Sequence, residues 1–299
     1  MTSRLRGLGS GLWALTIAIG ALCGVAAAQP PRSTAPQVAT RAATRIISLV
    51  PAVTEMLFAI GAGPHVIAVS SFDHFPAGVE ALPRVGALLD PDTERILSLK
   101  PDLVVTYGSQ TDLEVGLKRA GIRTYSYRHG GVEDTLQTIR QLGPLTGTET
   151  GAAATAERLR ARLDGIRRRV AGRGRPRTLL AFERQPGTLR TVYAAGGVGF
   201  MHDLLEVAGA ANVFADMKQE SVQPSQELLI ARRPDVVVEL HAETVDVSEA
   251  LRAWSVLPSV PAVRTGRIHA LAGAYLVVAG PRLADAADTI AKAIHPGAF

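Results

Sequence analysis

Two glutamates open the most informative stretches of this 299-residue chain. Glu94 begins "ERILSLKPDLVV" (94–105) and Glu227 begins "ELLIARRPDVVV" (227–238). In each, Pro follows seven residues on, Asp eight on, and then an apolar run. A carboxylate in the first turn of a short helix is favoured by the helix dipole, which accounts for either glutamate alone. It does not account for the same position being used in both halves. Two carboxylates at matching points of two similar lobes suit docking onto a partner with two basic pockets, and Glu94 and Glu227 are expected to do that.

Little else has the spacing of a reactive centre. There is no Gly-x-Ser-x-Gly elbow, no phosphate-cradling Gly-x-x-x-x-Gly-Lys-Ser/Thr and no His-Glu-x-x-His. "GGVGF" (196–200) reads as a tight turn, and "HGG" (129–131) as an isolated tripeptide. The seven histidines are scattered; a metal centre from His74, His129, His202 and Glu183 or His241 would need a convergence that spacing does not supply. Cys23 is the only cysteine. No catalytic residue, protein-built metal site or resident cofactor is therefore expected. Aromatics make up only 5% of the chain, yet Phe72, Tyr107, Phe182, Tyr193 and Tyr275 fall just after predicted strands or at loop starts. Such positions line a cleft, and an aromatic rim with few charges suits a large, flat, partly apolar ligand.

The elements that must position these side chains alternate. "RIISLVPAVTEMLFAIGAG" gives a strand, a turn at Pro51, and a helix capped by Thr54 and stopped at Gly61. "HVIAVS", "DLVVTY" and "GIRTYSY" are further strands. Asp92 or Thr93 caps a short helix ended by Pro101, and "VEDTLQTIRQLGPLTG" is a helix ended by Gly143-Pro144. Residues 149–172 break the rhythm: Leu159, Leu163, Ile166 and Val170 form one helical stripe, with Arg158, Arg160, Arg162, Arg167 and Arg168 elsewhere. No aromatics interleave with those arginines, so they read as a solvated face rather than a nucleic-acid site. "RTLLAFE" then starts a second strand–helix series. "HDLLEVAGAANVFAD" echoes the first half, and a helix from Arg282 closes the chain.

The fold class expected is α/β: two similar Rossmann-like lobes, each a mainly parallel sheet with flanking helices, joined by one long helix with a ligand cleft between them. Boundaries follow as a signal peptide at 1–28, a flexible tether at 29–44, an N-terminal lobe at 45–147, the linking helix at 148–173 and a C-terminal lobe at 174–299. Arg4 and Arg6, the apolar "GLWALTIAIGALCGV" and Ala26-Ala27-Ala28 make the signal. A lipid anchor at Cys23 is the lesser reading, because Leu22 is bulky where such signals carry a small residue. Removing the signal lowers the net charge from +5 to about +3.

These motifs, in this order and spacing, resemble the periplasmic substrate-binding proteins of ABC importers, in the class with one rigid helix between lobes. The resemblance runs from about Arg45 to Pro296 and rests on "RIISLVPAVTEMLFAIGAG", the two repeated phrases, the linking helix and "GPRLADAADTIAKAIHP". It implies a non-enzymatic, monomeric periplasmic receptor that hands a metal chelate to a transmembrane permease, with Glu94 and Glu227 meeting permease arginines. Within the class the loops look most like those of cobalamin receptors. Phe72 in "VSSFDHFP", His74, Leu88, Tyr107, Phe182, Tyr193 and Tyr275 are the implied ligand contacts. Leu88 and Ser221 replace tryptophans, and Ala274 and Val278 replace an acid and an arginine. Corrinoid is the leading ligand, with haem or a ferric siderophore as alternatives; a divalent-metal receptor and an exported enzyme are more remote.

Overall fold

The structure, a computed structural model, describes residues 41–299. The expected signal peptide, Cys23 and residues 29–40 of the tether lie outside the described residues.

In the first lobe, short runs rich in β-branched and aromatic residues make β1 (Ile46–Ser48), β2 (Val66–Val69), β3 (Leu103–Tyr107) and β4 (Arg123–Tyr127). They pair in the order β2-β1-β3-β4, all parallel. Helices α1 (Pro51–Ala59), α2 (Thr93–Ser98), α3 (Thr111–Arg119) and α4 (Val132–Thr146) cover the sheet. Two sequence expectations shift here. Pro51, whose missing N–H costs nothing at a helix start, begins α1, so Thr54 lies inside the helix and donates its hydroxyl to the Val50 carbonyl. Helix α4 continues past Gly143-Pro144 to Thr146, and Gly147 ends it in the left-handed region. Gly143 serves packing instead, since a Cβ there would lie 2.9 Å from Ala152 of the next helix.

That helix, α5 (Glu149–Val170), links the lobes; its 22 residues span about 33 Å. Leu159, Leu163, Ile166 and Val170 are all buried. They share one continuous core with Met56 and Leu57 of the first lobe and Leu204 and Ile290 of the second.

The second lobe contains β5 (Arg177–Arg184), β6 (Val192–Ala195), α6 (Phe200–Val207), β7 (Ala211–Asn212), β8 (Ser221–Val222), α7 (Gln226–Arg232), β9 (Val236–His241), α8 (Val247–Trp254), α9 (Pro261–Arg264), β10 (Ile268–Ala272) and α10 (Leu283–Ile294). The path β10-β9-β5-β6-β8 is parallel as far as β5 and antiparallel from there. The start of β5 pairs with β7 and its far end with β6, across a register shift between Ala181 and Glu183.

The repeated phrase has a common local structure. Asp92 caps α2 by accepting from the Arg95 N–H, and Ser225 caps α7 by accepting from that of Leu228. Both helices are followed by a basic residue at positive φ, Lys100 at 48° and Arg233 at 49°. The Asp of each Pro-Asp then staples the strand start beside it. Asp102 accepts from the backbone of Thr44 and Arg45 and from the Thr44 hydroxyl, and Asp235 accepts from the Arg177 N–H. The side chains of Arg45 and Arg177 in turn donate to the carbonyls of Leu99 and Arg232, each at 2.6 Å.

Candidate ligand-binding cleft

In parallel sheets the crevice for a ligand lies outside the carboxyl ends of the strands. Here those ends of both sheets converge at two points. At one, His129, just after β4, reaches a cavity otherwise built by the second lobe: Phe182, Val198, Phe200, Met201, Glu220 and Ser221. Its volume is about 180 Å³. Directly beneath, Asp203 of α6 accepts the N–H of Val132 at 2.7 Å, so one lobe caps a helix of the other. Gly131 makes this approach workable, because a Cβ there would collide with the Asp203 carboxylate. At the other point, Glu55 of α1 meets Arg282, the residue before α10.

The first lobe supplies an aromatic wall. His129 has its ring centroid 5.2 Å from that of Tyr127 and 6.0 Å from that of Tyr107, and the two tyrosines are 6.4 Å apart. This apolar flank desolvates the imidazole and pushes its pKa below the ordinary value, against the pull of the Glu220 carboxylate. Burial likewise raises both tyrosine hydroxyls, with the Asp73 charge adding to the effect on Tyr107. Asp73 is 1% exposed, and its carboxyl is pushed up to about 6 by burial, although the Ser70 N–H donates to one of its oxygens. The other oxygen has no partner. Gln110 donates to the carbonyls of Ala87 and Leu88 and accepts from the Tyr107 N–H, which ties the Leu88 loop to the same wall.

The residues singled out by sequence are distributed unevenly. Phe182 lines the cavity, and Tyr193 backs it with ring centroids 6.4 Å apart. Both stand on paired strands rather than on loops, because β5 runs on to Arg184 along its antiparallel neighbour. Tyr107 joins them through His129. Phe72 and Leu88 are exposed at the rim. His74 points to Glu80 at 3.3 Å in a surface pair, and Tyr275 lies at the second convergence point near Arg282. Glu94 and Glu227 are exposed on α2 and α7; the Ser225 hydroxyl lowers the pKa of Glu227. Met201, Glu220 and the Glu55–Arg282 pair carry no signal for the cleft in the sequence, and His129 figures there only in a candidate metal set. "HGG" follows "TYSY" directly, and a residue just past a parallel strand is a cleft residue by topology, a signal that would have found His129. Nothing in sequence pairs Glu55 with Arg282.

A larger hollow, about 690 Å³, lies between α3, β4 and the end of α4. It draws on the first lobe alone and is no interlobe site. Among the described residues, no group of three or more His, Cys, Asp or Glu is placed to hold a metal ion, and no helix is long and apolar enough to cross a membrane.

The sequence profile of the periplasmic binding proteins matches residues 46–275. The chain belongs to the periplasmic binding protein family. This periplasmic binding protein is 28% identical over 255 residues to the vitamin B12-binding protein of Salmonella typhimurium, covering 85% of this chain and 91% of that one. It is 27% identical over 261 residues to an uncharacterised ABC transporter substrate-binding lipoprotein of Bacillus subtilis, covering 85% and 81%. A periplasmic haem-binding protein of Vibrio cholerae shares the fold with a TM-score of 0.74 at 22% identity, over 85% of this chain and 99% of that one. The two-lobed α/β architecture expected from sequence is thus the family's own, with the antiparallel β6 and β8 as the departure.

Proposed function

We propose that the protein captures a large, weakly charged metal chelate of the corrinoid type in its interlobe cleft and delivers it to the permease of an ABC importer. The observation that carries this reading is the lining of the cavity at the cleft floor: rings and a thioether from the second lobe, the His129 imidazole from the first, and a single carboxylate, Glu220, with no Lys or Arg among them. A polyanionic ferric catecholate or the carboxylates of a haem would call for cations there. A cavity of this size accepts one edge of such a ligand. The rest would lie against Phe72, Leu88 and Tyr107. His129, its imidazole favoured in the neutral form, is the residue suited to face the metal.

The protein works as an exported monomer in the periplasm, performs no chemistry on its cargo and needs no cofactor of its own. Glu94 and Glu227 present one carboxylate per lobe to permease arginines. The vitamin B12-binding relative supports the ligand class, and the substrate-binding lipoprotein supports the importer as partner.

Titration of the purified protein with hydroxocobalamin, haemin and a ferric catecholate tests the ligand. We expect a visible-band shift with hydroxocobalamin, reduced in His129→Ala. A shift with haemin or the catecholate alone would discard the corrinoid reading. Tyr107→Ala and Phe182→Ala should each weaken hydroxocobalamin binding about ten- to a hundredfold, the loss of a stacked ring.

A further inference from the structure

Glu55–Arg282 is the one ion pair among the described residues that joins the two lobes directly. Arg282 donates Nε to Oε2 at 2.9 Å and a terminal nitrogen to Oε1 at 2.6 Å, a bidentate fork between residues 227 apart in the chain. Its guanidinium carbon also lies 3.9 Å from the centroid of the Phe75 ring and 5.9 Å from that of Tyr275. Phe75 belongs to the loop that carries Phe72 and Asp73, and Tyr275 to the segment after β10. One guanidinium therefore touches a helix and an aromatic loop of the first lobe and an aromatic of the second. The Tyr275 hydroxyl is held in addition by Thr289 at 3.1 Å. The turn before Arg282 is seated on α1: a Cβ on Gly280 would lie 3.2 Å from the Glu55 carboxylate and 3.6 Å from the Ala52 carbonyl.

Stability is a poor reason for this arrangement. Glu55 is 5% exposed, and burial pushes its carboxyl up while Arg282 pulls it back. A buried ion pair of this kind is often no more stabilising than apolar side chains of the same volume. Apolar side chains cannot supply direction, however. A planar, five-donor guanidinium fixes its carboxylate in two contacts and offers its faces to aromatic rings.

We propose that Glu55 and Arg282 are positioning residues: together they set the Phe72–Phe75 loop and the Tyr275 segment against each other, so that the rim of the cleft is preformed before a ligand arrives. This rests on the cleft being the ligand site, but its first test needs no ligand.

Amide hydrogen exchange of the ligand-free protein is compared for wild type, Arg282→Lys and Glu55→Leu/Arg282→Met. The lysine keeps the charge and loses the fork; the apolar pair keeps the fold without buried charge. Exchange should quicken about tenfold or more in both 71–75 and 273–280, with the interior of α4 unchanged. Folded variants that exchange like wild type in both segments would overturn the proposal. Hydroxocobalamin is then titrated into the same proteins, with about tenfold weaker binding expected in the variants, mainly through faster dissociation. Loosened segments with unchanged hydroxocobalamin affinity would also overturn it. Loosened segments in a protein whose wild type ignores hydroxocobalamin would uphold the positioning and sink the corrinoid reading instead.

Discussion

In the N-terminal lobe all four strands run parallel, and its cleft residues sit at strand ends or on the loops that follow. In the C-terminal lobe β6 and β8 run antiparallel, and Phe182 and Tyr193 stand on the strands themselves. The lobes also bury charge differently. The second contains a closed network: Arg184 donates to Glu239 and Glu249, and the Trp254 indole donates to the other Glu239 oxygen at 2.7 Å. Glu239 is 1% exposed, and the Arg184 side chain 2%. The first lobe buries Asp73 with one oxygen unpaired and Glu55 with its cation borrowed across the cleft. The second lobe pairs its buried acids within itself; the first leaves one oxygen of Asp73 unpaired and satisfies Glu55 only from the other lobe.

The largest effect should come from the closed network. Arg184→Ala leaves Glu239 buried without its cation and should cost about 3–5 kcal/mol in chemical unfolding. A cost below about 1 kcal/mol would mean the network is loose and the contrast between lobes false. The same Arg184 holds the Glu249 carboxyl down at about 2, so this part of the stability is lost only as pH falls toward that value.

Asp73 should behave in the opposite sense. Its carboxyl sits at about 6 in the folded protein against an ordinary 3.8. Between about pH 4 and 6 the folded state therefore holds a proton that the unfolded chain has released, and stability falls as pH rises through that window. The drop should approach about 2–3 kcal/mol, with a plateau above pH 6. Asp73→Asn should remove that slope in pH-dependent thermal unfolding; an unchanged profile would assign the titration elsewhere.

The paired staples offer a finer comparison. Asp102 takes bonds from two backbone N–H groups and a hydroxyl, and these hold its carboxyl below the ordinary range although burial opposes them. Asp235 takes one such bond. Asp102→Ala should cost about 2 kcal/mol and Asp235→Ala about 1 kcal/mol, in that order. Equal losses would show that the equivalent positions carry equal loads.

Least affected in stability should be the Glu94→Ala/Glu227→Ala double variant, by under about 0.5 kcal/mol, since both side chains are exposed. It should bind hydroxocobalamin normally and fail to support uptake in cells. Full uptake would reduce both residues to helix-dipole partners.

Sequence determined a good deal of this protein. The repeated Glu–Pro–Asp phrase, the alternation of strands with helices and the apolar stripe of α5 place two α/β lobes on one linking helix, because periodicity and turn chemistry are local properties. The same logic anticipated Tyr107 at the end of a strand, whereas Phe182 lies within β5, which runs on to Arg184. Tertiary structure decided the remainder. The antiparallel turn of β6 depends on which edge of β5 is free beyond β7, and no local pattern encodes that. His129 acquires its role only when a cavity of the opposite lobe closes around it. Glu55 and Arg282, an ordinary helix glutamate and an ordinary arginine in sequence, become a bidentate pair because burial at the lobe interface leaves each charge no other partner.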